Sequence, residues 1–280
     1  ILGRSDQKAF ICSDQSALLD ICNQACQAPN GVLFTVSATK ITANVTDCKL
    51  NWQPLAAPRP SQEKNNTYET VTYKEIMEQP GVLQALIDRH ISEDHTIKNL
   101  PNGLVASLKK HKRIQIIACG SSYFSALVGK YWIESIAETP VSVDLASEYH
   151  YRNPIIEKET FLITLSQSGE TLDTVSALRY LIQRRPAIES LSIGNNTLST
   201  LALESTFFWS TLAGPEVGVA TTKVFSAQLF CLISLCAQLC KNKKRQKSLV
   251  QAVSTLPLWA HEALQSQASI KKQTQEYKND

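Results

Sequence analysis

The sequence predicts an α/β protein: a doubly wound, five-stranded parallel sheet flanked by helices. Three observations carry that expectation. From Ile114 onward short β-rich runs alternate with helical runs, the pattern of a parallel sheet covered on its faces. One helical run repeats its apolar residues at three-residue spacing, with Leu172, Val175, Leu178 and Leu181 on the side that would meet the sheet. The scarce glycines also cluster: of 10 in the chain, Gly120, Gly169, Gly194, Gly214 and Gly218 all follow a strand-like run. In an open α/β sheet that is the ligand edge, where helix N-termini present unpaired N–H groups.

Residues 1–57 contain short β-like runs at 9–12 and 32–36 and read as a small β-rich layer of their own. The polar stretch at 58–72, entered through Pro58 and Pro60, reads as a linker. Residues 73–90 fit a helix entered through a first turn broken by Pro80, and they lead into the main unit, 73–245. Strands are expected at 114–118, 141–145, 160–165, 191–194 and 207–211, and helices at 123–137, 171–185 and 224–240. Residues 246–280 read as a polar helical tail.

Composition removes several classes of function. A chain of 280 residues that is 43% hydrophobic and 19% charged is globular rather than disordered. Its formal charge of +3 is far from the concentrated basic surface that nucleic acid requires. The chain opens at Ile1 with no basic segment or apolar stretch of a signal peptide, so the sequons at Asn44, Asn65 and Asn195 carry no weight. Eight cysteines without paired spacing read as reduced, buried thiols of a cytoplasmic protein. The apolar run 224–240, followed by Lys241, Lys243 and Lys244, looks superficially like a membrane anchor. It is short and is interrupted by Ser226, Gln228, Ser234 and Gln238, so a buried core helix is expected and no membrane partner. The five histidines lack metal or triad spacing and are expected to be structural or solvated.

Three loops carry candidate chemistry. Cys119-Gly120-Ser121-Ser122 lies between a strand and a helix, where glycine permits a sharp turn and the hydroxyls and first-turn amides can bind an oxyanion; an ordinary serine cap fits equally. Ser166-Gln167-Ser168-Gly169-Glu170-Thr171 sets five hydrogen-bonding side chains around one glycine, suited to a sugar or phosphate. It lacks the lysine of a nucleotide-triphosphate loop, and Ser168 and Thr171 have the spacing of a cap and its third helical residue. The run 213–223 is long for a strand-to-helix connection. There Glu216 could orient a sugar hydroxyl, Thr221 could cap the next helix, and Lys223 could be a solvated first-turn residue.

Together these loops, with Ala146-Ser147-Glu148-Tyr149, resemble the sugar isomerase (SIS) family, in the branch where a glutaminase half precedes two sugar isomerase units. Tyr73-Lys74-Glu75-Ile76-Met77-Glu78-Gln79-Pro80 resembles the segment joining those halves, and 10–19 resembles the close of the glutaminase layer. The resemblance implies an SIS-type sheet preceded by a glutaminase remnant, and hexose-phosphate binding (fructose 6-phosphate or glucosamine 6-phosphate) in hexosamine synthesis. Position by position it implies that Ser121, Ser122, Ser166, Gln167, Ser168 and Thr171 hold the phosphate, that Val219 and Thr221 contact the sugar, and that Glu216 lies beside it. It implies no metal or other cofactor and a homodimer through the SIS unit. With Ile1 at its start and 40 residues after Cys240, the chain is expected to lack the glutaminase nucleophile and the second SIS unit, and so to bind without catalytic residues of its own. A phosphosugar-sensing regulatory module, or a decayed paralogue, is the alternative.

Overall fold

The computed structural model describes residues 1–13, 15–18, 21–29, 31–55, 68–218 and 220–277. Two compact units are present, 1–67 and 68–280. In the first, strands β1 (Leu2–Arg4), β2 (Ala9–Ile11) and β3 (Gln24–Cys26) precede a hairpin of β4 (Phe34–Val36) and β5 (Ile41–Ala43), and β6 (Gln53–Pro54) follows. An antiparallel sheet in the order β2-β1-β3-β6 closes over Leu2, Leu18, Ala25 and Cys26. The greater part of the expected linker lies outside the described residues; its last two, Val71 and Thr72, already belong to a helix.

The second unit opens with α1 (Val71–His90) and α2 (Leu104–Leu108). It continues through β7 (Arg113–Ala118), α3 (Gly120–Trp132), β8 (Val141–Leu145), α4 (Ala146–Tyr149), β9 (Thr160–Leu165) and α5 (Leu172–Arg184). Then come β10 (Ser190–Gly194), α6 (Thr200–Glu204), β11 (Phe207–Ser210), α7 (Lys223–Leu239), α8 (Lys243–Val253), α9 (Leu256–Gln265) and α10 (Gln267–Glu276). The five strands are parallel, in the order β11-β10-β9-β7-β8. The β-rich runs are near-continuously apolar because both faces are covered. Ile114, Ile116, Phe161, Ile163, Leu191 and Ile193 pack on the side of α1, α3 and α7, whereas Ile117 and Leu162 meet α4 and α5 on the other. Each such side chain removed from water contributes about 1.5–3 kcal/mol.

The apolar run expected as a core helix is α7, buried along most of its length, with Ala126 of α3 and Leu86 of α1 in the same cluster. Burial pushes the thiols of Cys231 and Cys236 up, the latter to about 12. No helix among the described residues is long and apolar enough to cross a membrane. The basic residues Lys243 and Lys244 open α8 rather than closing α7, and Lys241 pairs with Glu138 at 3.0 Å.

The first helix does not begin at a proline-broken turn: Thr70 caps it by accepting the Tyr73 N–H at 3.1 Å, and the helix runs through Pro80. Proline has no N–H to offer the Ile76 carbonyl four residues back. The neighbouring Gln79 supplies the donor instead, its Nε2 lying 3.0 Å from that oxygen, while its Oε1 accepts from Ser226 of α7 at 2.5 Å. A side chain thus splices the helix and ties it to α7.

At the other end of α1, His90 is buried. Trp209 Nε1 donates to its Nε2 at 3.2 Å, which leaves the proton on Nδ1, 3.2 Å from the Lys98 carbonyl. Burial holds its pKa below the ordinary 6.5. Above that value the ring is neutral in folded and unfolded chain alike; below it the unfolded chain takes up a proton that the folded one refuses. Stability should therefore fall as the pH drops through and below the ordinary 6.5. Unfolding midpoints should show a shallower decline in His90→Gln; equal slopes would contradict the assignment.

Candidate functional site

The sheet order sets where a ligand can enter. From β7 the chain passes through α3 to β8 on one side, while from β9 it passes through α5, on the opposite face, to β10 on the other side. Strands β7 and β9 are neighbours, with Ala118 beside Leu165, so the turns that leave them diverge above their carboxyl ends, where ligands enter open sheets of this kind. The first two candidate loops start there, at Cys119 and Ser166. Their helices approach closely enough that Cys119 Sγ lies 4.0 Å from Asp173 in the first turn of α5.

In the first loop Gly120, with φ of 55°, turns the chain directly from strand into helix. Ser121 is half-buried and Ser122 buried. Ser122 Oγ accepts from Gln228 Nε2 of α7 at 3.0 Å, and Gln228 Oε1 accepts from Ser125 at 2.9 Å, so the amide is fixed in one orientation. That bond uses an acceptor site of Ser122 and leaves its hydroxyl proton available.

The second loop is wound around Ser166, which is 2% exposed. Its Oγ accepts the Gly169 N–H at 3.0 Å and shares a hydrogen bond with Thr171 Oγ1 at 2.9 Å. Two hydroxyls sharing one bond retain one proton between them to give to a third group. Gly169 has φ of 71°, and a Cβ there would collide with Ser199 Oγ, which caps α6. Ser168 Oγ accepts the Glu170 N–H at 3.1 Å, and the cap of α5 is Thr171. The expected pairing of Ser168 as cap with Thr171 inside the helix is therefore wrong by one turn, because Gly169 bends the chain before the helix starts.

The third loop folds over toward the second. Gln167 Nε2 donates to the Glu216 carbonyl at 3.5 Å, and Asn195 Nδ2 donates to the Gly214 carbonyl at 2.6 Å, while Asn195 Oδ1 receives Thr211 Oγ1 and the Ala213 N–H. The Glu216 side chain does not stand free. Its Oε1 accepts the N–H groups of Thr222 and Val224 at 2.9 and 3.3 Å, closing the N-terminus of α7 with a carboxyl group, and its Oε2 is buried without a partner among the described residues. This replaces the cap expected of Thr221, which is half-buried one residue before the N-cap Thr222. Lys223 is not solvated either: it is 4% exposed and donates to Glu78 of α1 at 2.6 Å. Val219 lies outside the described residues.

Ser121, Ser122, Ser166, Gln167, Ser168 and Thr171 are thus brought to one edge, with Glu216 joined to them through Gln167. Sequence reasoning missed Gln228, Asn195 and Glu75. Gln228 left one trace, a polar residue interrupting an apolar helix. Among the described residues no group of three or more His, Cys, Asp or Glu could hold a metal ion.

This edge, with neutral hydroxyls and two helix N-termini at the switch point of a parallel sheet, lies within residues 107–237, which match the SIS domain family. The chain is also similar to glutamine–fructose-6-phosphate aminotransferase [isomerizing]. It is 34% identical over 274 residues to that of Aliivibrio fischeri, covering 94% of this chain and 44% of the relative, and 33% identical to that of Haemophilus influenzae, covering 99% and 47%. The chain spans about half the length of these curated relatives. Among solved structures, the C-terminal domain of glucosamine-fructose-6-phosphate aminotransferase from Francisella tularensis superposes with a TM-score of 0.69 at 30% identity, covering 74% of this chain and 59% of that one.

The left-handed turn at Gly169 is the tightest point of the edge. Gly169→Ala should destabilise the protein by about 2–4 kcal/mol, through the positive φ and the displaced Ser199 cap together. Chemical denaturation would measure it, and a loss below about 0.5 kcal/mol would show that the turn relaxes freely.

Proposed function

We propose that the unit 68–280 binds a hexose phosphate, fructose 6-phosphate or glucosamine 6-phosphate, and serves hexosamine synthesis. The observation that carries this reading is the pair of helix N-termini, α3 and α5, above neighbouring strands and ringed by hydroxyls that keep protons to donate. Unpaired first-turn amides and the positive ends of two helices favour a phosphate, at about 0.3–1 kcal/mol for each helix dipole at an exposed site. Ser121, Ser122, Ser166, Gln167, Ser168 and Thr171 hold the phosphate end. Thr221 and Val219 contact the sugar, and Glu216 shapes the loop beside it. Neutral donors suit such a task, since they bind a dianion without a buried countercharge.

In the same reading residues 1–57 are the close of a glutaminase-type layer, 58–72 a linker, 73–245 the SIS unit and 246–280 a helical tail. The protein is cytoplasmic, pairs through its SIS unit as a homodimer, and needs no metal or other cofactor for binding. Similarity over nearly the whole chain supports reading these segments together as part of such an enzyme.

Calorimetry with fructose 6-phosphate tests the reading. The full chain should bind, inorganic phosphate should compete, and Ser166→Ala with Ser168→Ala should weaken binding by more than about 1 kcal/mol, roughly fivefold. Unchanged affinity in the double variant would remove the hydroxyls from the site, and no binding by the unaltered chain would remove the function.

A further inference from the structure

The match to the SIS family begins at residue 107, yet a residue well before it reaches the ligand edge. Glu75 stands on the first turns of α1 and is 2% exposed. Its Oε1 accepts two successive backbone N–H groups of the third loop, Val217 at 2.6 Å and Gly218 at 3.0 Å. Its Oε2 is buried and has no hydrogen-bond partner among the described residues. Burying a carboxyl group costs several kcal/mol unless its hydrogen bonds repay it, and an apolar residue of similar volume is often at least as stable. A purely packing role would not select an acid here.

Gly218 points the same way. A Cβ at that position would meet Glu75 Oε2 and come within 3.1 Å of Thr72 Oγ1, so the loop backbone lies directly against α1. Glu75 also heads a polar seam. Glu78 and Gln79, three and four residues on, share its side of the helix and bind Lys223 and Ser226 at the start of α7. Residues 216–218 are consequently held from three directions. Glu216 ties them to α7, Gln167 to the second loop, and Glu75 to α1. Of these anchors, Glu75 alone lies outside the stretch that matches the SIS family.

We propose that Glu75 is a positioning residue for the sugar end of the site: by collecting the Val217 and Gly218 amides it sets the conformation of the third loop and thereby the affinity for the hexose. It touches no ligand and acts through the loop. The phosphate end, built from α3 and α5, does not depend on it. This inference rests on the hexose-phosphate reading above.

The test compares Glu75→Ala and Glu75→Gln in the full chain, by hydrogen exchange of the peptide spanning Val217 and Gly218 and by calorimetry with fructose 6-phosphate and with inorganic phosphate. In Glu75→Ala the two amides should exchange about tenfold faster and fructose 6-phosphate should bind about tenfold more weakly, while phosphate affinity stays within about twofold. Glu75→Gln keeps an acceptor oxygen and should restore most of both. Unchanged exchange or unchanged sugar affinity in Glu75→Ala overturns the proposal. So does a parallel loss of sugar and phosphate binding, which would signal general loosening, or a glutamine variant as impaired as alanine. If the unaltered chain binds neither ligand, the hexose-phosphate reading fails, and the exchange rates alone then decide whether Glu75 holds the loop.

Discussion

Unpaired backbone N–H groups at the starts of two helices are the constraint around which the C-terminal unit is arranged. Each helix leaves its first amides without intrahelical partners, and burying them unpaired is costly. At the carboxyl edge of β7 and β9 the starts of α3 and α5 lie beside Ser121 and the Ser166–Thr171 pair. At α7 the same need is met internally by Glu216, whose Oε1 closes the helix end. The contrast separates two fates of one physical feature: a helix start left open at the sheet edge, and a helix start sealed by the chain.

Polar groups inside the apolar layers follow the same rule of satisfied partners. Thr164, Ser192 and Ser205 form a chain of short hydroxyl contacts, 2.5 Å each, running from β9 through β10 to the end of α6. Gln228 sits fully inside α7, yet both ends of its amide are used, by Ser122 and Ser125. Such networks replace some packing with directional bonds, and directional bonds fix register. Around the ligand edge that matters more than bulk stability, because a loop displaced by an ångström no longer presents its donors together.

The third loop is where these elements converge. It is tied to β10 through Asn195, to the second loop through Gln167, to α7 through Glu216 and to α1 through Glu75. Long loops on a ligand edge are ordinarily mobile. Four separate anchors hold the described residues of this one against the scaffold.

Much of this architecture was legible in the amino-acid order, since the patterns that make it are local. The strands at 141–145 and 160–165 were read to the residue, because runs of β-branched and apolar side chains bounded by turn formers leave little alternative. Gly120 and Gly169 marked the turns, and the hydroxyls beside them marked the edge. What tertiary structure alone decided are the contacts between distant residues. Glu75 meets Val217 across 142 positions, Lys223 meets Glu78 across 145, and Gln79 mends the helix at Pro80 while holding α7. In sequence Glu75 stands only within a segment of family resemblance, Lys223 reads as a solvated cation and Pro80 as a helix break. A side chain's partner is set by which surfaces the fold presses together, and no periodicity in the chain records that.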